Sequence, residues 1–193
     1  MASATILRSP ALASNAWEAI RDADQSLLVE RRDNARLRSA AEDLLAEAPF
    51  DRVASGRPGQ ASVALAPLPA VLADDIADLA YRFAALMGVD EVRLRLEGIT
   101  TNACRKIHAD VTDVRLITTY AGPATQVLRQ GADPTKANLW SMQPGWIGLF
   151  KGRLFAEGHE PCFHRSPPAG DLCVRRLILV IDTPAFPVGE EGA

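Results

Sequence analysis

The sequence lacks the features that would tie it to nucleic acid or to a membrane. It has no lysine-rich run and no arginine cluster interleaved with aromatic residues, and 21 Lys and Arg stand against 24 Asp and Glu. Nucleic acid is therefore not an expected partner. No apolar run approaches the roughly 20 residues that a membrane span needs, and the N-terminal stretch has no signal-peptide core. We expect a cytoplasmic protein that does not bind membranes.

Cysteine is also scarce, and the chain contains no CxxC pair. Its three cysteines are Cys104, Cys162 and Cys173, an odd number at irregular spacing. This pattern argues against a disulfide framework and favours free thiols in a reducing compartment. With 193 residues, 48% of them apolar, the chain can bury a core without covalent links. The sequence therefore predicts a single domain over residues 1–193.

The first 90 residues are predicted to be a helical support region with short strands. Asp33 is suited to cap a helix because its carboxylate accepts hydrogen bonds from the first turn, and apolar residues follow at helical spacing. A longer amphipathic helix is predicted over 70–87, with Gly88 as its end. Residues 26–31 and 61–66 are predicted as short strands.

After Gly88 the apolar pattern changes from helical spacing to alternation. Residues 91–96 alternate apolar and charged side chains, which is typical of a half-buried strand. Further short apolar or β-branched runs are bounded by turn residues. They cover residues 104–109, 114–120, 125–128, 146–151 and 174–182. The sequence thus predicts an α+β protein whose β-barrel core spans 91–185, as a sandwich or jelly roll, with a short tail at 186–193.

The three histidines of the chain are its most informative residues. His108 and Asp110 are separated by one residue, so on a strand both side chains project from the same face. His164 could join them from a neighbouring strand of the barrel. Two imidazoles and one carboxylate on one side of an ion leave coordination positions open, as in non-haem Fe(II) oxygenases. We predict a metal site at His108, Asp110 and His164.

The same three ligands can hold zinc, so the identity of the ion stays open at this point. Zinc with water in the fourth position would indicate hydrolysis, whereas a fourth ligand from Cys162, His159 or Cys104 would indicate a structural or zinc-handling role. A third interpretation is a barrel scaffold in which these side chains only form hydrogen bonds. No nucleophile elbow, Walker loop or dinucleotide-binding glycine pattern is present in the sequence.

Two arginines near the last strand add a second element to the predicted site. Arg175 and Arg176 precede an apolar run, and a guanidinium projecting toward the metal could bind a carboxylate in bidentate fashion. Adjacent residues on a strand point to opposite faces, so only one of the two arginines can take this role.

Between residues 104 and 182 the motif order resembles that of the Fe(II) and 2-oxoglutarate-dependent oxygenases, especially the prolyl-hydroxylase-like branch. The resemblance implies a double-stranded β-helix with His108, Asp110 and His164 as iron ligands. It also implies that Arg176 or Arg175 binds the 2-oxoglutarate carboxylate, with Tyr120 as a second hydrogen-bonding residue. Many of those enzymes carry Ser or Thr two residues after the arginine, where this chain has Leu177 or Ile178.

A closer resemblance, over most of the chain, is to the bacterial family called domain of unknown function 1826 (DUF1826). Its hallmarks are similar to residues 102–110, 149–152, 164–168 and 176–182. That name implies no activity, but members encoded near zinc-homeostasis proteins imply a zinc-related role. Two functions are therefore expected as alternatives: a 2-oxoglutarate-dependent oxygenase acting on a small molecule or protein, and a non-catalytic zinc-binding protein.

Overall fold

The computed structural model describes residues 16–184, which fold into helices packed on one side of two antiparallel sheets. The α-helices are α1 (Ala35–Leu45), α2 (Pro58–Ala64) and α3 (Ala70–Met87), and short 3-10 helices cover Glu18–Arg21 and Lys136–Asn138. The strands are β1 (Leu27–Glu30), β2 (Phe50–Gly56), β3 (Val92–Ile99), β4 (Val114–Ala121), β5 (Gln126–Leu128), β6 (Leu139–Ser141), β7 (Ile147–Lys151), β8 (His164–Arg165) and β9 (Arg176–Asp182).

The large sheet has six strands in the order β1-β7-β4-β9-β3-β2, and the small sheet has three in the order β6-β5-β8. Every pairing in both sheets is antiparallel. The predicted α+β class is confirmed at this level. No helix within 16–184 is both long and apolar enough to cross a lipid bilayer. The predicted tail at 186–193 lies outside the described residues.

One face of the large sheet packs against the helices and forms the main core. Leu94 and Leu96 of β3, and the odd-numbered apolar residues of β9, meet the buried face of α3. This helix spans 70–87 as predicted, and Gly88 ends it in the left-handed conformation with φ 66°. Glycine suits that position because it has no Cβ to clash in this conformation.

The opposite face of the large sheet packs against the small sheet. A second apolar cluster joins Ile117, Phe150 and Ile178 of the large sheet to Val127 of the small one. Side chains alternate along a strand, so β4 and β9 each contribute to both clusters. The predicted metal ligands His108, Asp110 and His164 line the space between the two sheets.

Several local predictions were wrong. Residues 61–64 belong to α2 rather than to a strand, and residues 65 and 66 follow its end. This helix begins at Pro58, a residue suited to the first helical turn. Residues 104–109 form no strand, and only His108 makes an isolated bridge. Strands β2, β6 and β8 were not predicted. The N-terminal support region also contributes β1 and β2 to opposite edges of the large sheet.

Tyr120 lies on the helix side of the large sheet, which corrects the expectation that it contacts a co-substrate. Its ring is fully buried in the main core, and its hydroxyl donates a hydrogen bond of 2.7 Å to Asp75 of α3. Arg32 forms an ion pair with the same carboxylate. Burial, and then the neighbouring Asp75 charge, raises the pKa of Tyr120 well above its usual value. Tyr120 therefore joins β4 to α3.

We predict that Tyr120→Phe lowers the free energy of unfolding by about 1–2 kcal/mol, because Asp75 loses one donor in a buried network. Metal and 2-oxoglutarate binding should be unchanged, since the ring faces away from the space between the sheets. Urea unfolding with metal and co-substrate titrations of the same preparation measures both quantities. A loss of 2-oxoglutarate affinity at unchanged stability would reinstate Tyr120 as a co-substrate contact.

Candidate metal centre

A short backbone pairing brings two of the three predicted ligands together. His108 and His164 form an isolated antiparallel bridge in which each backbone N–H donates to the carbonyl of the other, at 2.9 and 2.8 Å. Directly paired residues present their side chains on the same face of the sheet. The two imidazole rings consequently lie 4.8 Å apart between their centroids.

Asp110 is held by the segment that follows β7. The backbone N–H of Arg153 donates to the Asp110 carbonyl at 2.8 Å, and that of Leu154 donates to Thr112 at 2.9 Å. The two segments approach so closely that a Cβ on Gly152 would lie 2.2 Å from the Thr112 carbonyl oxygen. Only glycine allows this contact without displacing the loop, so Gly152 helps to position Asp110.

The atoms of the three side chains that could bind a metal lie close together. Asp110 Oδ1 lies 3.7 Å from His108 Nε2, and Asp110 Oδ2 lies 3.5 Å from His164 Nε2. All three potential ligand atoms lie within 4.8 Å of one another. The structure therefore brings together the three residues that the sequence proposed as a metal site.

Backbone carbonyls determine which imidazole nitrogen can act as a ligand. His108 Nδ1 lies 2.9 Å from the Lys106 carbonyl, and His164 Nδ1 lies 3.3 Å from the Cys162 carbonyl. A carbonyl can only accept, so Nδ1 of each neutral ring carries the proton and Nε2 carries the lone pair. Metal-binding histidines are commonly oriented by such contacts.

The two lone pairs face a carboxylate that also only accepts hydrogen bonds. Asp110 is 2% exposed, and its Oδ2 has no hydrogen-bond partner among the described residues. Burial lowers the pKa of His164 despite the opposing effect of Asp110, so this ring is held neutral near pH 7. Buried acceptors that face one another without a proton are unfavourable, and a cation between them removes that cost. These residues fit a metal ion.

Arg115 neutralises the charge that Asp110 would otherwise leave buried. Its Nη1 donates to Asp110 Oδ1 at 2.5 Å, while Nε and Nη2 bind both carboxylate oxygens of Asp182 at 2.7 and 3.1 Å. Because Oδ1 is occupied by the guanidinium, Oδ2 is the oxygen that remains for a metal. The arginine thus orients Asp110 as a ligand through one oxygen.

The three side chains line a cavity of about 430 Å³ between the sheets. Its apolar wall comes from β4 and β9, through Ile117, Ile178 and Val180, and a charged wall comes from β2 and β3. Such a volume is typical of small-ligand sites, which bury most of a ligand among apolar groups with a few polar contacts. A metal bound at the triad would face this cavity.

Arg175 and Arg176 point to opposite sides of the large sheet. Arg175 is partly exposed and donates to the Ala46 carbonyl at 3.0 Å, whereas Arg176 is fully buried on the face of β9 that also carries Ile178. Arg176 Nε donates to the Pro123 carbonyl at 2.6 Å, but Nη1 and Nη2 have no partner among the described residues. Of these two arginines, only Arg176 is on the face of β9 that is turned toward the small sheet.

The residues proposed to close a zinc site do not join the cluster. His159 directs both ring nitrogens at backbone carbonyls, those of Ala156 and Gly152. Burial raises the pKa of the Cys162 thiol far above its usual value, and its sulfur is not among the converging ligand atoms. Within residues 16–184 the ligand cluster contains His108, Asp110 and His164 and no fourth residue, so a closed zinc site is not supported.

Arg115, Arg95 and Glu97 lie at the site but were not identified from the sequence. The alternation along β3 did mark Arg95 and Glu97 as one face of a strand, and charged residues on such a face usually meet solvent. The second sheet covers part of this face and turns it into a cavity wall. No local sequence pattern predicts that the small sheet covers this face.

We predict that Arg115→Leu lowers the free energy of unfolding of the metal-free protein by about 3 kcal/mol, because Asp110 and Asp182 remain buried without a counter-charge. Arg38→Leu, on the exposed face of α1, is the control and should change stability little. Urea unfolding of the variants gives both values. Equal, small effects of the two substitutions would show that Arg115 does not neutralise the two carboxylates.

Comparison with solved structures shows a shared fold at very low sequence identity. Dioxygenase for auxin oxidation 1 of Arabidopsis thaliana, solved with 2-oxoglutarate, is 9% identical with a TM-score of 0.50, over 91% of this chain and 89% of that one. The rice dioxygenase for auxin oxidation is 12% identical, with a TM-score of 0.51 over 88% and 77%. A prolyl-4-hydroxylase of Pseudomonas putida is 16% identical, with a TM-score of 0.50 over 88% and 96%.

Sequence comparison gives the family. No curated protein matches the chain. The family described as protein of unknown function (DUF1826) matches residues 5–182, which is most of the 193-residue chain. The match includes every residue of the metal-ligand cluster and all nine strands. The chain therefore belongs to the DUF1826 family.

Proposed function

We propose that this protein is an Fe(II)- and 2-oxoglutarate-dependent oxygenase built on a double-stranded β-helix. The bridge of His108 to β8 extends the small sheet by one short segment, which gives the order His108-β8-β5-β6 opposite the large sheet. Two facing antiparallel sheets are also the architecture of a jelly roll, which supports this part of the proposal. The fold shared with two dioxygenases and a prolyl-4-hydroxylase supports the same assignment.

The observation that carries the proposal is the convergence of three possible ligand atoms at the triad, where Asp110 Oδ2 is buried without a hydrogen-bond partner among the described residues. His108 Nε2, His164 Nε2 and Asp110 Oδ2 face one another in a buried site that opens on a cavity. Two histidines and one carboxylate on one side of an ion leave its other positions available for small molecules. The absence of a fourth protein ligand within residues 16–184 favours an open, reactive centre over a closed structural one.

Arg176 is the residue we assign to the distal carboxylate of 2-oxoglutarate. Its two terminal nitrogens are buried without partners, which is a costly state for a charged group unless an anion binds there. Burial lowers the pKa of Arg176 to about 10, so the group is still charged at neutral pH. Arg176 precedes Ile178 by two positions on β9 and pairs with Ile99 in the strand register, and both of those residues line the cavity.

Iron(II), 2-oxoglutarate and oxygen together supply an oxidant that inserts one oxygen atom into a substrate C–H bond and leaves succinate and carbon dioxide. The residues of this chain would bind the metal and the co-substrate and orient them. His108 and His164 would bind the metal through Nε2, because backbone carbonyls accept hydrogen bonds from Nδ1–H. Arg115 leaves one oxygen of Asp110 for the metal. The apolar wall at Ile178 and its neighbours excludes water from the reacting groups.

We also propose that the protein works in the reducing environment of the cytoplasm, because its three cysteines are an odd number without a CxxC pair. Cys162 lies in the cluster between the sheets, while Cys104 and Cys173 are exposed.

We predict that His108→Ala and His164→Ala each weaken Fe(II) binding by about 100-fold or more, because each removes one of three protein ligands. Anaerobic titration of the apo protein with Fe(II), followed calorimetrically, measures this loss. His159→Ala is the control, because its ring nitrogens are bound to backbone carbonyls outside the cluster.

Circular dichroism should show that all three variants are folded. Unchanged iron affinity in either triad variant would remove the metal centre from the proposal. Zinc that binds tightly and excludes 2-oxoglutarate would retain the site but remove the oxygenase.

We predict that Arg176→Gln weakens 2-oxoglutarate binding by about 10- to 100-fold at unchanged iron affinity, because a charge-assisted pair contributes about 1.5–3 kcal/mol. The visible absorption change on anaerobic addition of 2-oxoglutarate to the iron-loaded protein measures the affinity. Arg175→Gln removes the same charge from the neighbouring residue on the other face and should bind 2-oxoglutarate normally. Equal affinities in the two variants would exclude Arg176 as the carboxylate site.

A further inference from the structure

The charged wall of the cavity is formed by alternate residues of β3 and β2. Arg95 and Glu97 project from β3 on the face away from the helices, and both line the cavity that contains the triad. Asp51 of β2 pairs directly with Glu97 in the strand register and lines the same cavity. A guanidinium and two carboxylates therefore stand together on one side of the site.

The contact between Arg95 and Glu97 is loose. Arg95 Nε lies 3.5 Å from Glu97 Oε1, and this nitrogen is buried without a hydrogen-bond partner among the described residues. Arg115 contacts Asp182 at 2.7 Å in the same region, which shows the distance that an established ion pair adopts here. The side chains of Arg95 and Glu97 are each 22% exposed, so a ligand in the cavity can reach both.

Asp51 and Glu97 are unfavourably placed with respect to each other. Directly paired residues on antiparallel strands have Cβ atoms about 5 Å apart, and like charges at such a pair are destabilising. Burial raises the pKa of Glu97, Arg95 opposes that effect, and Asp51 adds to it. A cationic group between the two carboxylates would relieve their repulsion.

We propose that the substrate is a small zwitterion of the amino-acid class, with its carboxylate bound by Arg95 and its ammonium group bound by Glu97 and Asp51. Residues two apart on a strand have Cα atoms about 7 Å apart, so adjacent opposite charges of one ligand fit between their ends. Each charge of the ligand meets the opposite charge of the wall. This inference rests on the proposed oxygenase, whose substrate it names.

The remainder of the cavity agrees with a ligand of this size. A volume of about 430 Å³ has to hold both co-substrate and substrate, which leaves room for a small molecule rather than a large one. Beside the charged wall, Ile178 and Val180 of β9 form an apolar surface, and the triad lies on the same cavity. An aliphatic side chain of the ligand would pack on this surface and face the metal centre.

Ligand-observed NMR on the full-length protein, with a mixture of the common L-amino acids under anaerobic conditions, tests this proposal. The measurement is made on both the metal-free protein and the protein loaded with Fe(II) and 2-oxoglutarate. At least one amino acid should bind. Its N-acetyl derivative, which has lost the ammonium group, and its amide, which has lost the carboxylate, should each bind on the order of tenfold more weakly.

Variants separate the two halves of the wall. Arg95→Gln should weaken binding of the amino acid on the order of tenfold but leave binding of its amide unchanged. Glu97→Gln should weaken binding of the amino acid to a similar extent but leave binding of its N-acetyl derivative unchanged. Arg93→Gln is the matched control, because Arg93 lies on the same face of β3 but does not line the cavity. Thermal unfolding establishes that all three variants fold.

The outcomes are distinct from those of the iron experiments. Amino-acid binding that needs both charges and both wall residues supports the proposal, even when iron or 2-oxoglutarate fails to bind and the oxygenase itself is excluded. Absence of binding by every amino acid in the mixture overturns it, and so does an N-acetyl or amide derivative that binds as tightly as the parent amino acid. Equal effects of Arg93→Gln and Arg95→Gln also overturn it, because a general change in surface charge would then explain the loss.

Discussion

The backbone pairing of His108 with His164 is the interaction on which the candidate site depends. Two hydrogen bonds join a loop after β3 to a strand of two residues, and β8 is itself held by β5. Neither segment belongs to the large sheet. The position of the two imidazoles relative to the rest of the cavity is therefore set by how the small sheet packs on Ile117, Phe150 and Ile178. Apolar packing between the sheets thus determines the geometry of a polar site.

Buried polar groups occur on both faces of the large sheet. On the helix side, Tyr120 and Asp75 bind each other, and Arg32 completes the network, so β4 and α3 are joined by satisfied groups. On the side of the small sheet, Asp110 and Arg176 keep buried atoms without partners. Atoms without a partner also occur on the helix side, at Asn34 and Arg82. Native proteins satisfy most buried polar groups, so an unsatisfied carboxylate oxygen and an unsatisfied guanidinium between the sheets agree with a ligand site there.

The local elements with a strong apolar period could be predicted from the sequence. The helix over 70–87 has its observed bounds, and β3, β4, β7 and β9 were predicted within a few residues, because each buries a regular set of apolar side chains. Strand β2 was missed because its core contacts come from pairing with β3, which no local pattern reveals. Residues 104–107 were part of a predicted strand because they include apolar and β-branched residues, but they pair with no other strand.

For the site, the sequence identified the residue types that converge but not the groups that support them. His108, Asp110 and His164 could be chosen because histidine is rare in this chain and the spacing of the first pair suits one face of a strand. The choice between Arg175 and Arg176 depended on which residues of β9 face the small sheet, and the sequence alone did not show that this strand starts at Arg176. Arg115 was hidden because its partner Asp182 lies 67 positions away and on another strand.

The buried Arg176 illustrates how the fold prepares for an anion. Desolvation lowers the pKa of its guanidinium to about 10, yet the group remains protonated near pH 7, so the folded protein keeps a buried positive charge with two free nitrogens. Most of the cost of removing that charge from water is met when the chain folds and is supported by the packing of β9 against its neighbours. A carboxylate that arrives there gains charge-assisted hydrogen bonds against a guanidinium that is already desolvated and fixed by Pro123. Under the proposed function, preorganisation of this kind would convert part of the folding free energy into affinity for the co-substrate.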